Sequence, residues 1–372
     1  MPMSKPTYPQ FIRRTTALFS AMVALGGVSL SPSVLAEDVS FDGERAQITV
    51  PYKEGGGTDT WARFFAPYFS QTLPGEPVVV VKNVPGGGST KGANQFARRA
   101  KDNGLDVLAS SASTQFTYLL GDRRVKYDYN DWDVVMASPT GGVIYVSPST
   151  GINNADDFIA NLGSVEFQYA SQGATTIDLV PLLALDLLGA DVNAVFGMKG
   201  RGAGRLAFER GEVNLDSQTS SAYLKKVTPL VEEGKAIPIF SLGVLDENGQ
   251  LQRDPNFPDI PHFAEVYQKA NGDMDAQGFK VWRSFFVAGF VAQKMFFLPD
   301  STPEAVKQAW RDAAKTFVAD EEFKARANDV LGNYQQLTGA EADKAVEAIL
   351  SLDESSREWV AQWLADKYNT KL

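Results

Sequence analysis

Along this chain short apolar runs alternate with small polar or glycine-rich stretches, and each stretch precedes apolar residues at helical spacing. Residues 46–50, with Ile48 and Val50 in alternation, read as a strand that Pro51 and Gly55-Gly56-Gly57 end. Thr58 or Asp59 offers a helix N-cap, and Trp61, Phe64, Phe65 and Tyr68 then predict an amphipathic helix over 59–72. The next strand, 77–81, contains four consecutive valines at 78–81. Such a continuous apolar run suits a strand buried on both faces of a parallel sheet. Pro85-Gly86-Gly87-Gly88-Ser89 ends it ahead of a helix near Thr90. A third strand, 105–109, runs into Ser110-Ser111-Ala112-Ser113-Thr114 and a short helix. The pattern resumes as strand 165–170, loop 171–176 and helix 177–188. It continues as strand 192–196, loop 199–204 and a helix holding 205–209, then strand 213–215, loop 216–221 and helix 223–233.

The order strand, tight polar loop, helix predicts α/β architecture with mainly parallel, doubly wound sheets. Two such units lie at about 43–140 and 141–244. Residues 279–291 form a long, largely apolar stretch and read as extended. Thr302-Pro303-Glu304 is a helix start, an N-cap followed by proline in the first turn, and helices are expected from there to about residue 369. A helical tail of this kind is expected to pack back on the first unit. Domain 1 is therefore drawn as 37–140 plus 245–372, and domain 2 as 141–244.

The first 36 residues stand apart. Lys5, Arg13 and Arg14 make a basic start, residues 17–30 are mostly apolar and uncharged, and Val34-Leu35-Ala36 suits a cleavage site. This is the layout of a secretory signal peptide, with the cut expected after Ala36. The apolar run is too short and too rich in Gly and Ser to span a bilayer. The Arg13-Arg14 pair leaves both the general and the twin-arginine export routes open. The whole chain of 372 residues carries 45 acidic against 35 basic residues, a net charge of −10. Losing the leader's three positive charges takes the rest to −13. A nucleic-acid partner is not expected of so acidic a chain, because phosphate neutralisation needs a basic surface. With Cys at 0 and His at 1, no thiol nucleophile, disulfide, cysteine-ligated zinc or multi-histidine metal site can be built. The composition fits an exported monomer in a bacterial periplasm, with no cofactor.

Candidate chemistry then falls to the loops at the strand ends, where ligands bind in a doubly wound sheet. Those loops carry Gly, Ser and Thr, with little charge. Glycine lets a ligand approach the backbone, and N–H groups at a helix N-terminus attract an anion. The candidate ligand-binding residues are Gly57, Thr58, Asp59, Gly88, Ser89, Ser111, Ser113, Ser171, Thr175, Thr176, Arg201 and Asp216. One carboxylate is expected on the helix N-termini after Gly57 and Ser171. Arg201 has two readings: it takes a second carboxylate bidentately, or it points to solvent and pairs with a surface acid. The glycine loops lack the dinucleotide spacing and the P-loop Gly-Lys-Ser or Gly-Lys-Thr, and no G-x-S-x-G elbow is present. His262, in Pro261-His262-Phe263, reads as a surface or cap residue.

Several motifs, in order, resemble the substrate-binding proteins of tripartite tricarboxylate transporters, the Bug-type receptors. They are Val50-Pro51-Tyr52 before Gly55-Gly56-Gly57-Thr58-Asp59, Lys82-Asn83-Val84-Pro85-Gly86-Gly87-Gly88, and Tyr169-Ala170-Ser171-Gln172-Gly173. Lys199-Gly200, Gly211-Glu212-Val213-Asn214-Leu215-Asp216, Pro258-Asp259-Ile260-Pro261-His262-Phe263-Ala264-Glu265 and Pro299-Asp300-Ser301-Thr302-Pro303 follow. The resemblance implies two α/β domains joined by a hinge, like type II periplasmic binding proteins, closing without catalysis on a small organic carboxylate. It also implies a membrane transporter partner with one large and one small subunit. A receptor feeding a sensor kinase, and a hydrolase or transferase on the same fold, are the alternatives. Arg201, Gln172 and Thr175 depart from the family pattern, and residues 245–256 and 285–298 read as insertions.

Overall fold

The computed structural model describes residues 39–246, 248–270 and 272–372. The leader and its cut after Ala36 lie outside the described residues. The first elements are β1 (Arg45–Val50), α1 (Gly57–Thr72), β2 (Val78–Asn83), α2 (Thr90–Arg99), β3 (Asp106–Ser111), α3 (Ala112–Leu119) and β4 (Trp132–Ser138). The chain then builds β5 (Gly142–Val146), α4 (Ala155–Ala160), β6 (Glu166–Ser171), α5 (Leu179–Leu187), β7 (Asp191–Phe196) and α6 (Arg201–Glu209). It continues with β8 (Leu215–Thr219), α7 (Ser220–Lys226), α8 (Thr228–Glu232) and β9 (Ile237–Ser241). A small hairpin of β10 (Val244–Leu245) and β11 (Leu251–Gln252) precedes α9 (Phe263–Lys269) and α10 (Gln277–Phe286). The remainder is β12 (Lys294–Pro299), α11 (Glu304–Ala319), α12 (Glu321–Leu331), β13 (Leu337–Thr338), α13 (Ala340–Leu350) and α14 (Glu354–Tyr368).

Two mixed sheets result, in the strand orders β13-β4-β12-β3-β1-β2 and β7-β6-β8-β5-β9. Each contains a parallel trio, β2-β1-β3 in the first and β7-β6-β8 in the second, joined to antiparallel neighbours. The chain passes from the first sheet to the second between β4 and β5, and returns after β9 to add β12 and β13 to the first.

Position in the sheet decides burial more than the apolar run does. The four valines of β2 stand on the sheet edge, and Val78 is 59% exposed. A strand buried on both faces was expected there. The centre is instead β3, where Val107, Leu108 and Ala109 are fully buried. Residues 279–291, expected to be extended, form α10 and a π-helical turn over Val287–Val291. Phe279, Trp282, Phe285 and Phe286 recur at helical spacing, and the run exceeds ordinary strand length. The small loop expected over 171–176 runs on to residue 178, because α5 starts only at Leu179. Asp216, expected in a loop, lies inside β8 and is fully buried.

Among the described residues there are three apolar cores; the smallest gathers Tyr145, Phe208 and Tyr223 on the second sheet, and two larger ones hold the molecule. One lies on the α1 side of the first sheet, where Trp61 stacks on Phe296 with ring centroids 4.0 Å apart and Phe65 and Phe69 meet Phe317. The other runs between the two sheets and is filled by Phe285, Phe286 and Phe290. Phe116 of α3 and Leu182 and Leu183 of α5 belong to that same core. The C-terminal helices pack on the first sheet, and α14 continues onto α5. There the Trp363 indole donates to Asp186 at 2.7 Å and Tyr368 rests on Phe196.

Candidate functional site

The carboxyl ends of β1 and β3 and the start of α2 come together through hydroxyl groups. Tyr52 shares hydrogen bonds with Ser111 at 2.5 Å and with Thr114 at 3.1 Å, and Thr114 donates to Ser89 at 3.0 Å. Ser89 is buried and holds φ +99°, in the left-handed region that a residue with a Cβ seldom occupies. Such strain, about 1–3 kcal/mol, survives only where the surroundings impose it. Here Gly86, Gly87 and Gly88, all at positive φ, lead the chain into Ser89. Gly57 and Thr58 open α1, whose N-cap residue, Gly56, provides no side-chain cap. Asp59 in the same turn faces the protein. Its carboxylate accepts from Gly55 N–H at 2.8 Å, Arg63 at 2.9 Å and Asn83 at 2.9 Å. Burial opposes its charge, but these donors prevail and hold the carboxyl below its usual range. Asp59 is thus the clamp of the first glycine loop.

In the second sheet the loop after β6 is organised by Asp178. It accepts from the Ser171 hydroxyl at 2.8 Å, the Gln172 N–H at 2.7 Å and the Tyr169 hydroxyl at 3.1 Å. Arg201 closes the same cluster. Its Nε donates to Ser217 O at 3.1 Å, Nη1 to Ala170 O at 2.7 Å and to Asp178, and Nη2 to Asp216 and to Ser217 O at 2.9 Å. All five guanidinium N–H donors have protein acceptors, so neither expectation for Arg201 describes it. It neither presents a free fork to a ligand nor points to solvent, but joins two buried aspartates with a side chain only 11% exposed. Burial opposes its charge, and Asp178 and Asp216 hold it protonated. Burial likewise raises the Asp216 carboxyl, against the pull of Arg201, Tyr145 and Gln218. A cavity of about 20 Å³, room for a water, is bounded by Asp178, Arg201, Ser217, Ile177 and Phe290.

The two loop sets meet. The Ile177 N–H donates to the Ser113 hydroxyl at 3.1 Å, linking the start of α3 to the loop before α5. A Cβ placed on Gly88 would sit 3.8 Å from the Thr176 methyl, so this bare backbone faces the second sheet's loop. Gly88, Ser89, Ser111 and Ser113 are thereby brought together with Thr176, and Thr175 is buried in the same loop. Asp59, Ser171, Arg201 and Asp216 stand one layer back, with their polar atoms turned to protein partners. Tyr52 and Thr114, which complete the hydroxyl chain, and Asp178, which orders the second loop, are not among the residues expected from the sequence. Tyr52 stands in the Val50-Pro51-Tyr52 motif, and Thr114 ends the serine-rich stretch after β3. Asp178 gave no comparable signal.

A larger cavity of about 330 Å³ lies where the chain crosses between the sheets, against Thr140, Leu245, Phe290 and Tyr334. Its described lining is mostly apolar, with Thr140, Gln252, Asn333, Tyr334 and Gln335 as the polar side chains. His262 precedes α9 and donates its backbone N–H to Glu265 at 2.8 Å, a helix-start role, and burial lowers its imidazole. Among the described residues no cluster of His, Asp or Glu could hold a metal ion, and no helix is long and apolar enough to cross a membrane.

No protein-family model matches the chain. Protein BugT of Bordetella pertussis is 28% identical over 255 residues, covering 66% of this chain and 73% of that protein. The solved structure of the periplasmic binding protein BugD superposes with a TM-score of 0.65 at 21% identity, over 88% of this chain and 98% of BugD. MatC of Rhodopseudomonas palustris, solved with bound malate, gives 0.64 at 19% identity, over 85% of this chain and 98% of MatC. The resemblance read from the motifs is thus borne out by a sequence relative and by the fold.

Proposed function

We propose that this chain is a periplasmic solute receptor of the Bug type, which captures a small organic carboxylate between two domains and delivers it to a membrane transporter. The observation that carries the reading is the meeting of Gly88, Ser89 and Ser113 with the 173–177 loop of the other sheet. Hydroxyls and glycine backbone gather there, donors suited to a carboxylate. The relative BugT and the malate held by a protein of the same fold point the same way. Domain 1 comprises 37–140 and 245–372, domain 2 comprises 141–244, and the crossings near 138–142 and 241–244 act as the hinge. The transporter has one large and one small subunit, and the receptor acts as a monomer without chemistry. The hydroxyls here hydrogen-bond to one another, and the single histidine, His262, serves a helix start.

Calorimetric titration and thermal shift of the purified protein with malate, adipate, citrate and benzoate test the reading. At least one acid should bind and raise the melting temperature linearly in log concentration. A ligand at 100 times its Kd should add about 2.7 kcal/mol. If none of the four shifts the transition at millimolar concentration, the receptor reading fails.

A further inference from the structure

One buried charge has no counter-charge. Lys294 opens β12 and is 5% exposed. Its ammonium donates to the Gln293 side-chain carbonyl. Among the described residues no carboxylate forms an ion pair with it, and burial by itself lowers the ammonium to about 8. Isolated buried cations are costly, so such groups are normally paired.

Its position is at the candidate site. In the sheet Lys294 stands opposite Ser111 on one side and Ser138 on the other. Ser111 belongs to the hydroxyl chain, and Ser138 accepts from the Trp61 indole at 2.8 Å. Lys294 and Phe296 share a face, because strand residues two apart point the same way. Trp61 of α1 stacks on Phe296. Two residues along the strand, about 6.6 Å, is Lys294, and three residues back along the helix, about 4.5 Å, is Thr58. Lys294 therefore leaves the sheet on the face that α1 covers, toward the end at which that helix starts without a side-chain cap. Asp59 in that turn is already engaged by Arg63 and Asn83. An ammonium and the positive end of a sixteen-residue helix lie on one face and toward one end of the sheet, and both are relieved by the same partner, an anion.

We propose that Lys294 is the fixed positive charge of the binding site and pairs directly with an ionised carboxylate of the solute. This rests on the receptor reading and adds the residue that selects an acid over a neutral analogue. The hydroxyls of Ser111, Tyr52 and Ser89 orient that acid, and Lys294 supplies the charge.

Wild type, Lys294→Met and Lys294→Gln are titrated with malate, adipate, citrate and benzoate, and their ligand-free melting temperatures are compared. The methionine removes the charge at nearly constant shape. The glutamine keeps a hydrogen-bond donor and serves if the methionine does not fold. The best-bound acid should bind either folded variant about 30-fold or more weakly, while Lys294→Met melts a few degrees higher without ligand. Opposite signs in affinity and stability are the signature, since a lysine with only a structural role would not lower affinity when replaced. If wild type binds an acid and a folded variant binds it within tenfold, Lys294 is removed from the site and the receptor reading stands. If wild type binds none of the acids, the receptor reading falls and takes this inference with it.

Discussion

At the scale of single residues, the polar groups of this molecule divide by what they face. Ser89 faces the meeting point of the two loop sets and bears the strain of φ +99° there. Glycine tolerates that conformation and alanine does not, so Ser89→Gly should be more stable than Ser89→Ala by about 1–2 kcal/mol in urea unfolding. Equal stabilities would show that the left-handed turn carries no strain. Arg201 faces inward. Arg201→Ala strands Asp178 and Asp216 without a cation and should cost about 3–5 kcal/mol, whatever ligand is present. Adding Asp216→Asn should recover part of that loss, as chemical denaturation of the single and double variants can report. For Lys294 the sign runs with pH. The folded ammonium titrates at about 8, below its ordinary value of about 10.4, so between them the unfolded chain holds more protons and stability rises with pH. The penalty is full below pH 8 and relieved on approaching pH 10. Wild type should therefore gain on Lys294→Met over that window, by on the order of 3 kcal/mol, in parallel urea titrations. A constant difference between the two proteins across it would mean that the ammonium is not perturbed by burial.

At the scale of elements, α10 and its π turn decide how the two sheets are joined. Gly289 lies where a Cβ would fall 2.3 Å from the Phe116 ring of α3, so the turn packs against α3 with no room to spare. Gly289→Ala should lower stability by about 1–3 kcal/mol through overpacking, as thermal or urea unfolding would show, and a neutral result would mean that the ring moves aside freely. This is also the segment that periodicity alone misread. Both a buried strand and a buried helix give continuous apolar runs, and residues 279–291 were distinguishable only by length and by the recurrence of Phe279, Trp282 and Phe286. The β2 edge was hidden for a related reason: four valines state a preference for strand, but sheet order is set by contacts distant in sequence. The loops themselves were legible, because glycine at positive φ and small hydroxyl residues leave a local signature, as at Gly88 and Ser113. What stands behind them was not. Asp178 and Arg201 meet through pairings across more than one strand, and Lys294 falls in an apolar run that reads as an insertion.

At the scale of the whole molecule, the proposed solute capture depends on how far the two sheets can separate. The apolar core between them is continuous around Phe285, Phe286 and Phe290, and α14 is tied to α5 through Trp363 and Asp186. Parting the sheets there would expose several large side chains at about 1.5–3 kcal/mol each. On the side of the loops, Ser113 bonds to Ile177 and Gly88 faces Thr176 without a side chain, and one hydrogen bond of this kind contributes only about 0.5–1.5 kcal/mol. Opening is therefore expected on the loop side alone, as a swing about the packed aromatic side. A carboxylate that bonds to both loop sets binds the closed arrangement better and shifts the population toward it by that difference in affinity. Small-angle scattering of the ligand-free protein should give a larger radius of gyration than the protein saturated with its best-bound acid. Ser113→Ala, which deletes the polar link while sparing the aromatic core, should enlarge the ligand-free radius further or leave it at the open limit, and should weaken the acid by up to about tenfold. Identical scattering with and without bound acid, in wild type and Ser113→Ala alike, would show that the sheets do not swing and that the solute enters a site already formed.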